Sequence, residues 1–248
     1  MKLKNNIKLF ITCDSGAGAG KTTASKYLSK KYGLELLTSG LLYRMVAKKL
    51  LDSKKSPKNF SFLKKITKSI NPKDLKSVKL YSPKITAYTS EIAKIKKVRK
   101  LLKNYQNKFA KKRLVIIEGR DIGTLFPRAD IKFFFKCSIN VAAKRRFKEF
   151  RKINKTISLK DVEKAIRSRD LADTKRENSP LRIPKGAIIM ATSKLTKKQM
   201  FENLDKLKKD LFNFRFQKVN GQIKSPTKIT ETKKNIARLK TLIGAKNA

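Results

Sequence analysis

The 248-residue sequence contains no histidine and no tryptophan, and only two cysteines, Cys13 and Cys137. Without histidine there can be no Ser-His-Asp triad, no Cys-His dyad and no His-based zinc site, and two cysteines cannot form a disulfide framework. Any chemistry must run on carboxylates, lysines, arginines and a metal held by oxygen. Acids are scarce too, 18 against 64 lysines and arginines, for a formal charge of +46. No apolar run approaches the roughly 18 residues that a membrane helix needs, so no membrane partner is expected. Residues 1–13 join a basic start to a short apolar run but lack the small-residue cleavage site of a secretion signal, and a cytoplasmic protein with reduced thiols is expected.

What is present is a chain able to fold: 40% hydrophobic, 8% aromatic and 33% charged residues. The positive excess points to a polyanionic partner, but lysines are spread through every segment at similar density on both sides of Leu195. Bulk charge therefore does not locate a binding domain, and most lysines read as a solvated surface. Arginine is much rarer and more informative, because its rigid fork grips phosphate in one geometry.

Strand-length apolar runs at 8–13, 34–37, 114–117, 131–135 and 187–190 are separated by amphipathic segments, the pattern of a parallel α/β sheet of five strands. Helices are expected over 21–32, closed by Gly33, and over 40–51, 88–109, 140–152 and 159–169. Ile92, Ile95, Val98, Leu102 and Tyr105 share one face of the third of these. Between Asp52 and Lys84 the pattern dissolves into Ser, Lys, Asn and Pro, which predicts an insertion with weak local structure.

The strongest local signal lies between the first strand and the first helix: Asp14-Ser15-Gly16-Ala17-Gly18-Ala19-Gly20-Lys21-Thr22-Thr23. Glycines let successive backbone N–H groups curl around a nucleotide's β-phosphate, and the helix start adds its positive end. Lys21 would bridge the β- and γ-phosphates, and Thr22 would offer a hydroxyl to Mg²⁺. The usual first glycine of such a loop is Ser15 here.

Further along, Ser39 can cap the helix that follows it in Thr38-Ser39-Gly40-Leu41-Leu42-Tyr43-Arg44, with Arg44 one turn in. Tyr88-Thr89-Ser90 precedes Arg99, and the third strand runs into Glu118-Gly119-Arg120-Asp121-Ile122-Gly123-Thr124, over the ligand crevice of a parallel sheet. Cytosine differs from uracil by an amine donor and an N3 acceptor, so a site choosing it wants a carboxylate and a cationic donor. Asp121 and Arg99, helped by Ser90, suit those roles; an Asp121 that only pairs with a neighbouring arginine is the alternative.

These motifs, with Ala143, Arg145 and Arg146, and with R-D-x-x-D-x-x-R-x-x-x-P-L from Arg169 to Leu181, together resemble the bacterial cytidylate kinases over about 9–195. The resemblance implies a P-loop nucleoside-monophosphate kinase fold, with domain limits 1–195, a monophosphate-binding region about 38–110 and a lid about 154–185. It implies phosphoryl transfer from ATP, with Mg²⁺, to CMP or dCMP in pyrimidine nucleotide metabolism. Catalytic roles fall to Lys21, Arg120, Arg169 and Arg176. Donor binding falls to Ser15, Gly16, Ala17, Gly18, Ala19, Gly20, Lys21, Thr22, Thr23 and Arg145, and metal binding to Thr22. The acceptor would be held by Ser39, Arg44, Ser90, Arg99, Arg120, Asp121, Arg169, Asp173 and Arg176. The acid common in the family before Ser39 is Thr38 here. Another monophosphate kinase, or a small-molecule kinase of the same fold, is the runner-up.

Beyond 195 the chain continues through a long helical stretch, a break at Asn220-Gly221 and Ser225-Pro226, and another helix over 229–242, which predicts an antiparallel two-helix hairpin over 196–248. Leu211-Phe212-Asn213-Phe214-Arg215-Phe216-Gln217 and Asn235-Ile236-Ala237-Arg238-Leu239-Lys240-Thr241 resemble the twenty-ninth protein of the bacterial large ribosomal subunit. That resemblance implies a partner in large-subunit ribosomal RNA and the large subunit, and a bifunctional chain that fuses two proteins through a shared helix; a ribosomal RNA-binding protein with an inactive kinase domain is the alternative. Phe212, Phe214 and Phe216 among cations suit an RNA surface, and serve equally as hairpin core.

Overall fold

The computed structural model describes residues 8–77, 80, 82–151 and 157–206. Five strands, β1 (Leu9–Ser15), β2 (Glu35–Thr38), β3 (Leu114–Gly119), β4 (Ile131–Lys136) and β5 (Ile188–Ala191), form one sheet in the order β2-β3-β1-β4-β5. Every pairing is parallel. β3 is covered on both faces, and Val115, Ile116 and Ile117 are fully buried, hence the unbroken apolar run. The edge strand β5 instead alternates, with Ile188 and Met190 inward and Ile189 exposed.

From β1 the chain steps out to β2, returns to fill the gap with β3, then crosses to β4 on the other side of β1. That reversal opens a crevice beyond the carboxyl ends of β1 and β3. The strand registers bring Asp14 beside Gly119, and Thr38 beside Glu118, at its floor.

Helix α1 (Lys21–Tyr32) is bounded as the sequence predicts, with Gly33 in the left-handed region at φ 66° as its C-cap. Helix α2 (Ser39–Asp52) starts one residue early: Thr38 is its N-cap, and Ser39 is its first helical residue rather than a cap. The 52–84 segment is more ordered than expected. It contains α3 (Phe60–Lys68), capped by Asn59, and a short 3-10 turn, Asp74–Lys76. Leu63, Ile66, Ile70, Leu75 and Leu80 all enter the core. Polar residues outnumber these anchors in the sequence, so the periodicity that marks a helix is diluted; burial against α2 and its neighbours decides the matter.

The single helix expected over 88–109 is two, α4 (Pro83–Ile92) and α5 (Lys96–Ala110). Ser82 caps α4 by accepting from the Ile85 amide at 3.3 Å, with Pro83 at the first turn. The apolar stripe continues through the break, because Ile92, Val98 and Leu102 are all buried in one core with Leu42, Val46 and Leu50. Each such side chain contributes about 1.5–3 kcal/mol of burial.

Helix α6 (Ile122–Leu125) follows β3 and adds Ile122 to that core, whereas α7 (Ile139–Arg151) packs on α8 (Leu159–Lys175) in a separate cluster through Ala142, Ala143, Val162 and Ile166. Helix α8 runs past its expected end at Arg169, because its last turns carry acids that are held by tertiary ion pairs.

The chain divides into two units, Met1–Lys194 and Leu195–Ala248. In the second, residues 197–206 are helical. Thr196 opens them with a capping box: its hydroxyl accepts from the Gln199 amide at 3.2 Å, and Gln199 Oε1 accepts from the Thr196 amide at 2.9 Å. The rest of the expected hairpin, including Phe212, Phe214, Phe216, Arg215 and Arg238, lies outside the described residues. Among the described residues no helix is long and apolar enough to cross a membrane.

Candidate active site

Residues 16–20 join β1 to α1, with Gly18 and Gly20 at φ 66° and 85°. A Cβ on Gly18 would come within 2.8 Å of the Ala142 carbonyl oxygen, so the loop is seated on α7 by a contact only glycine permits. Ser15 needs no such freedom: it is buried and its hydroxyl donates to the Gly16 carbonyl at 2.7 Å. Among the described residues the non-glycine positive φ values fall at Lys54 and Ser179, not here. The first turn of α1 carries no acid and Gly20 provides no side-chain cap, so no residue of the helix's own start offsets its positive end. Lys21 and Thr23 are half-buried beside the exposed Thr22.

A chain of alternating charges spans the crevice. Arg99 of α5 pairs with Asp121 Oδ2. The other Asp121 oxygen lies 3.3 Å from Arg176, and Arg176 Nη1 lies 3.1 Å from Asp173. Asp173 Oδ2 meets Arg120 Nε at 2.9 Å, and Arg120 Nη1 meets Asp170 Oδ1 at 2.6 Å. The chain ends on the loop, where the Ala17 amide donates to Asp170 Oδ1 at 3.0 Å and to Oδ2 at 3.1 Å. Six side chains from α5, the β3–α6 turn, α8 and its C-cap Arg176 are thus linked in turn to the phosphate loop. The pairing of Asp121 with neighbouring arginines, held open as an alternative by the sequence, is present on both of its oxygens.

Electrostatic crowding is greatest beside the loop. Burial holds the Lys21 ammonium below its ordinary range, opposed by Glu118 and reinforced by Arg120 and Arg169. Burial also lowers the Arg169 guanidinium to about 10, with Arg120, Arg44 and Arg146 adding repulsion and Asp173 opposing it. Cations held close at such cost are poised for an anion of higher charge. Below them, Asp14 is fully buried and accepts from the Ile122 and Gly123 amides at 2.8 and 2.6 Å. Burial pushes its carboxyl up to about 7 against the pull of those two amides. This clamp ties β1 to the first turn of α6 and so sets the Arg120-Asp121 turn.

The remaining expected residues fall around this centre. Ser39 is buried against Gly119, where a Cβ would lie 2.5 Å from its hydroxyl. Arg44 is buried, with Nη1 donating to the Leu80 carbonyl at 2.7 Å and the Thr86 hydroxyl at 2.8 Å. Ser90 is half-buried on α4. Arg145 on α7 donates to the Thr192 carbonyl at 2.6 Å.

Sequence reasoning missed five residues. Tyr43 stacks beneath the Arg99 guanidinium at 5.5 Å, and burial pushes its phenol up to about 12. Thr192 joins Arg145 to the loop through a hydroxyl 3.0 Å from the Ala19 carbonyl. Asp14, Glu118 and Asp170 are the others. Tyr43, Asp14, Glu118 and Asp170 each stand inside or beside a motif that was read for its arginines and glycines, so the signal was adjacency. Nothing in the sequence marks Thr192.

Residues 11–210 match the family model for cytidylate kinase, and residues 192–246 match that for ribosomal L29 protein. The cytidylate kinase of Caldanaerobacter subterraneus subsp. tengcongensis is 31% identical over 80% of this chain and 94% of its own length. That of Clostridium botulinum (Loch Maree) is 33% identical over 80% of this chain and 96% of its own, and that of Fusobacterium nucleatum 34% over 76% and 91%.

Proposed function

Because this chain belongs to the cytidylate kinase family, we propose that it transfers the γ-phosphoryl group of ATP to CMP or dCMP, giving CDP or dCDP. The observation that carries this reading is the gathering of Lys21, Arg120 and Arg169 beside a glycine loop at a helix start, with Arg44 acting on Arg169 from α2. Phosphoryl transfer needs positioning and neutralisation of spread negative charge more than covalent chemistry, and this cluster supplies both.

The donor's phosphates lie along the loop amides of 16–20, with Lys21 at the transferring end and Thr23 beside it. Arg145, braced by Thr192, stands on the donor's nucleoside side. Arg120 exchanges Asp170 for phosphate, and Arg169 and Arg176 add charge toward the acceptor phosphate and the transferring group, while Arg44 adds charge from α2 and Ser39 lines the floor. Asp121 takes the cytosine amine and Arg99, with Ser90, its N3 and O2; Asp173 remains to hold the arginines in place. The chain's oxygens suit Mg²⁺: Thr22 offers a hydroxyl, and Glu118 Oε2 is buried without a hydrogen-bond partner at the end of β3. Bound there, the metal would neutralise charge on the donor phosphates.

The match over 192–246 supports a second role, binding of large-subunit ribosomal RNA through residues 196–248. Coupled ADP release measured with CMP, dCMP, UMP and AMP tests the kinase reading. Turnover at least tenfold more efficient with the cytidine monophosphates is expected; equal use of UMP or AMP would overturn the assignment.

A further inference from the structure

We infer that Asp170 is an internal stand-in for the donor's terminal phosphate: its carboxylate latches α8 onto the phosphate loop, and ATP has to displace it to bind. The inference rests on the reading of the loop as the donor site.

Four contacts carry it. Both Asp170 oxygens lie within 3.1 Å of the Ala17 amide, and Oδ1 is 2.6 Å from Arg120. A Cβ on Gly16 would sit 2.5 Å from Oδ2, so the carboxylate rests directly on the loop backbone, in space that glycine alone leaves open. A backbone amide and a guanidinium are the donors that a phosphate oxygen takes at such a loop. The contact is made across 153 residues of sequence and joins two separate elements, so local geometry does not impose it.

Two anions cannot share one amide at this range, since like charges a few ångströms apart in a partly buried site repel strongly. ATP brings more charge and more oxygens than a single carboxylate and can therefore win the site. Arg120 need not move when it does. Asp173, one turn further along α8, holds its Nε at 2.9 Å, so release of Asp170 frees Nη1 for the phosphate while the guanidinium stays oriented. Asp170 is thus a positioning residue whose partners become available in the order that the reaction needs. Its cost is affinity: the apparent dissociation constant of ATP is the intrinsic one divided by the fraction of molecules unlatched.

The test is the dissociation constant of ATP, measured by calorimetry on the full chain and on D170N and D170A. Asn keeps the shape and can still accept from Ala17 but carries no charge for Arg120; Ala removes the group and is well tolerated on a helix surface. Tighter ATP binding by about tenfold is expected in both, with faster hydrogen exchange in α8 and in the loop before ATP is added. A residue that merely supported the fold would weaken ATP binding when removed. Unchanged or weaker binding in either folded variant overturns the latch and leaves the kinase reading intact. Failure of the unmodified chain to bind ATP would instead overturn both.

Discussion

The Thr38 hydroxyl donates to Glu118 Oε1 across 2.6 Å, tying the carboxyl end of β2 to that of β3 and leaving Oε2 buried without a hydrogen-bond partner. Thr38 thus serves to aim the Glu118 carboxylate. Glu118→Gln should therefore raise the Mg²⁺ concentration needed for half-maximal rate by roughly tenfold, about 1.4 kcal/mol, with the fold retained. A Mg²⁺ titration of initial rates reads this directly, and an unchanged midpoint would remove Glu118 from the metal's surroundings.

Asp121 holds two arginines at once, so its replacement acts on stability and on selectivity. Asp121→Asn should cost about 2–4 kcal/mol, since Arg99 and Arg176 lose a buried counter-charge. The amide can also donate to the uracil carbonyl that a carboxylate repels, so the ratio of kcat/KM for CMP over UMP should fall. Urea denaturation and paired kinetics separate the two effects.

Asp14 makes stability depend on pH. Its folded pKa of about 7 lies above the ordinary 3.8, so the folded state binds the proton more tightly. The resulting stabilisation is complete below about pH 4 and is lost as pH rises through 7. Asp14→Asn cannot accept from both the Ile122 and Gly123 amides and should be less stable at pH 5 by about 1–3 kcal/mol. Thermal melts from pH 4 to 8 should show a flatter dependence in the variant than in the unmodified chain; parallel curves would contradict the assignment.

Lys21 is crowded by Arg120 and Arg169 in the absence of phosphate, so Lys21→Ala should leave the melting temperature unchanged or raised. Turnover should nonetheless fall a thousandfold or more, on the order of 4 kcal/mol, because a charge facing the transferring group is lost. Near-normal kcat would remove Lys21 from the reaction.

A chain ending at 210, where the kinase match stops, should keep CMP phosphorylation, because every nucleotide contact named above precedes Ser193. Binding of large-subunit RNA by the full chain should weaken steeply between low and high salt and be lost on this truncation. Filter binding at several salt concentrations, beside the rate assay, checks both. Loss of kinase activity with no change in RNA binding would show that the last segment belongs to the enzyme.

The sequence by itself determined the elements whose signals are local. The glycine loop, the five apolar runs and the boundaries of α1 are written in backbone sterics, capping and local apolar patterning, which can be read without knowing the distant partners. Order between Asp52 and Lys84, and the break at 93–95 between α4 and α5, were decided by tertiary burial, because an apolar stripe of helical period continues unchanged through such a break. The site divides in the same way. Lys21, Arg120 and Asp121 were legible because motif spacing carries them, whereas the contacts of Asp14, Glu118 and Thr192 depend on which backbone and side-chain groups the fold brings within 3 Å. Asp170 is the extreme case: its chemistry is that of any surface acid until a helix packed 153 residues downstream sets it on the amide of Ala17.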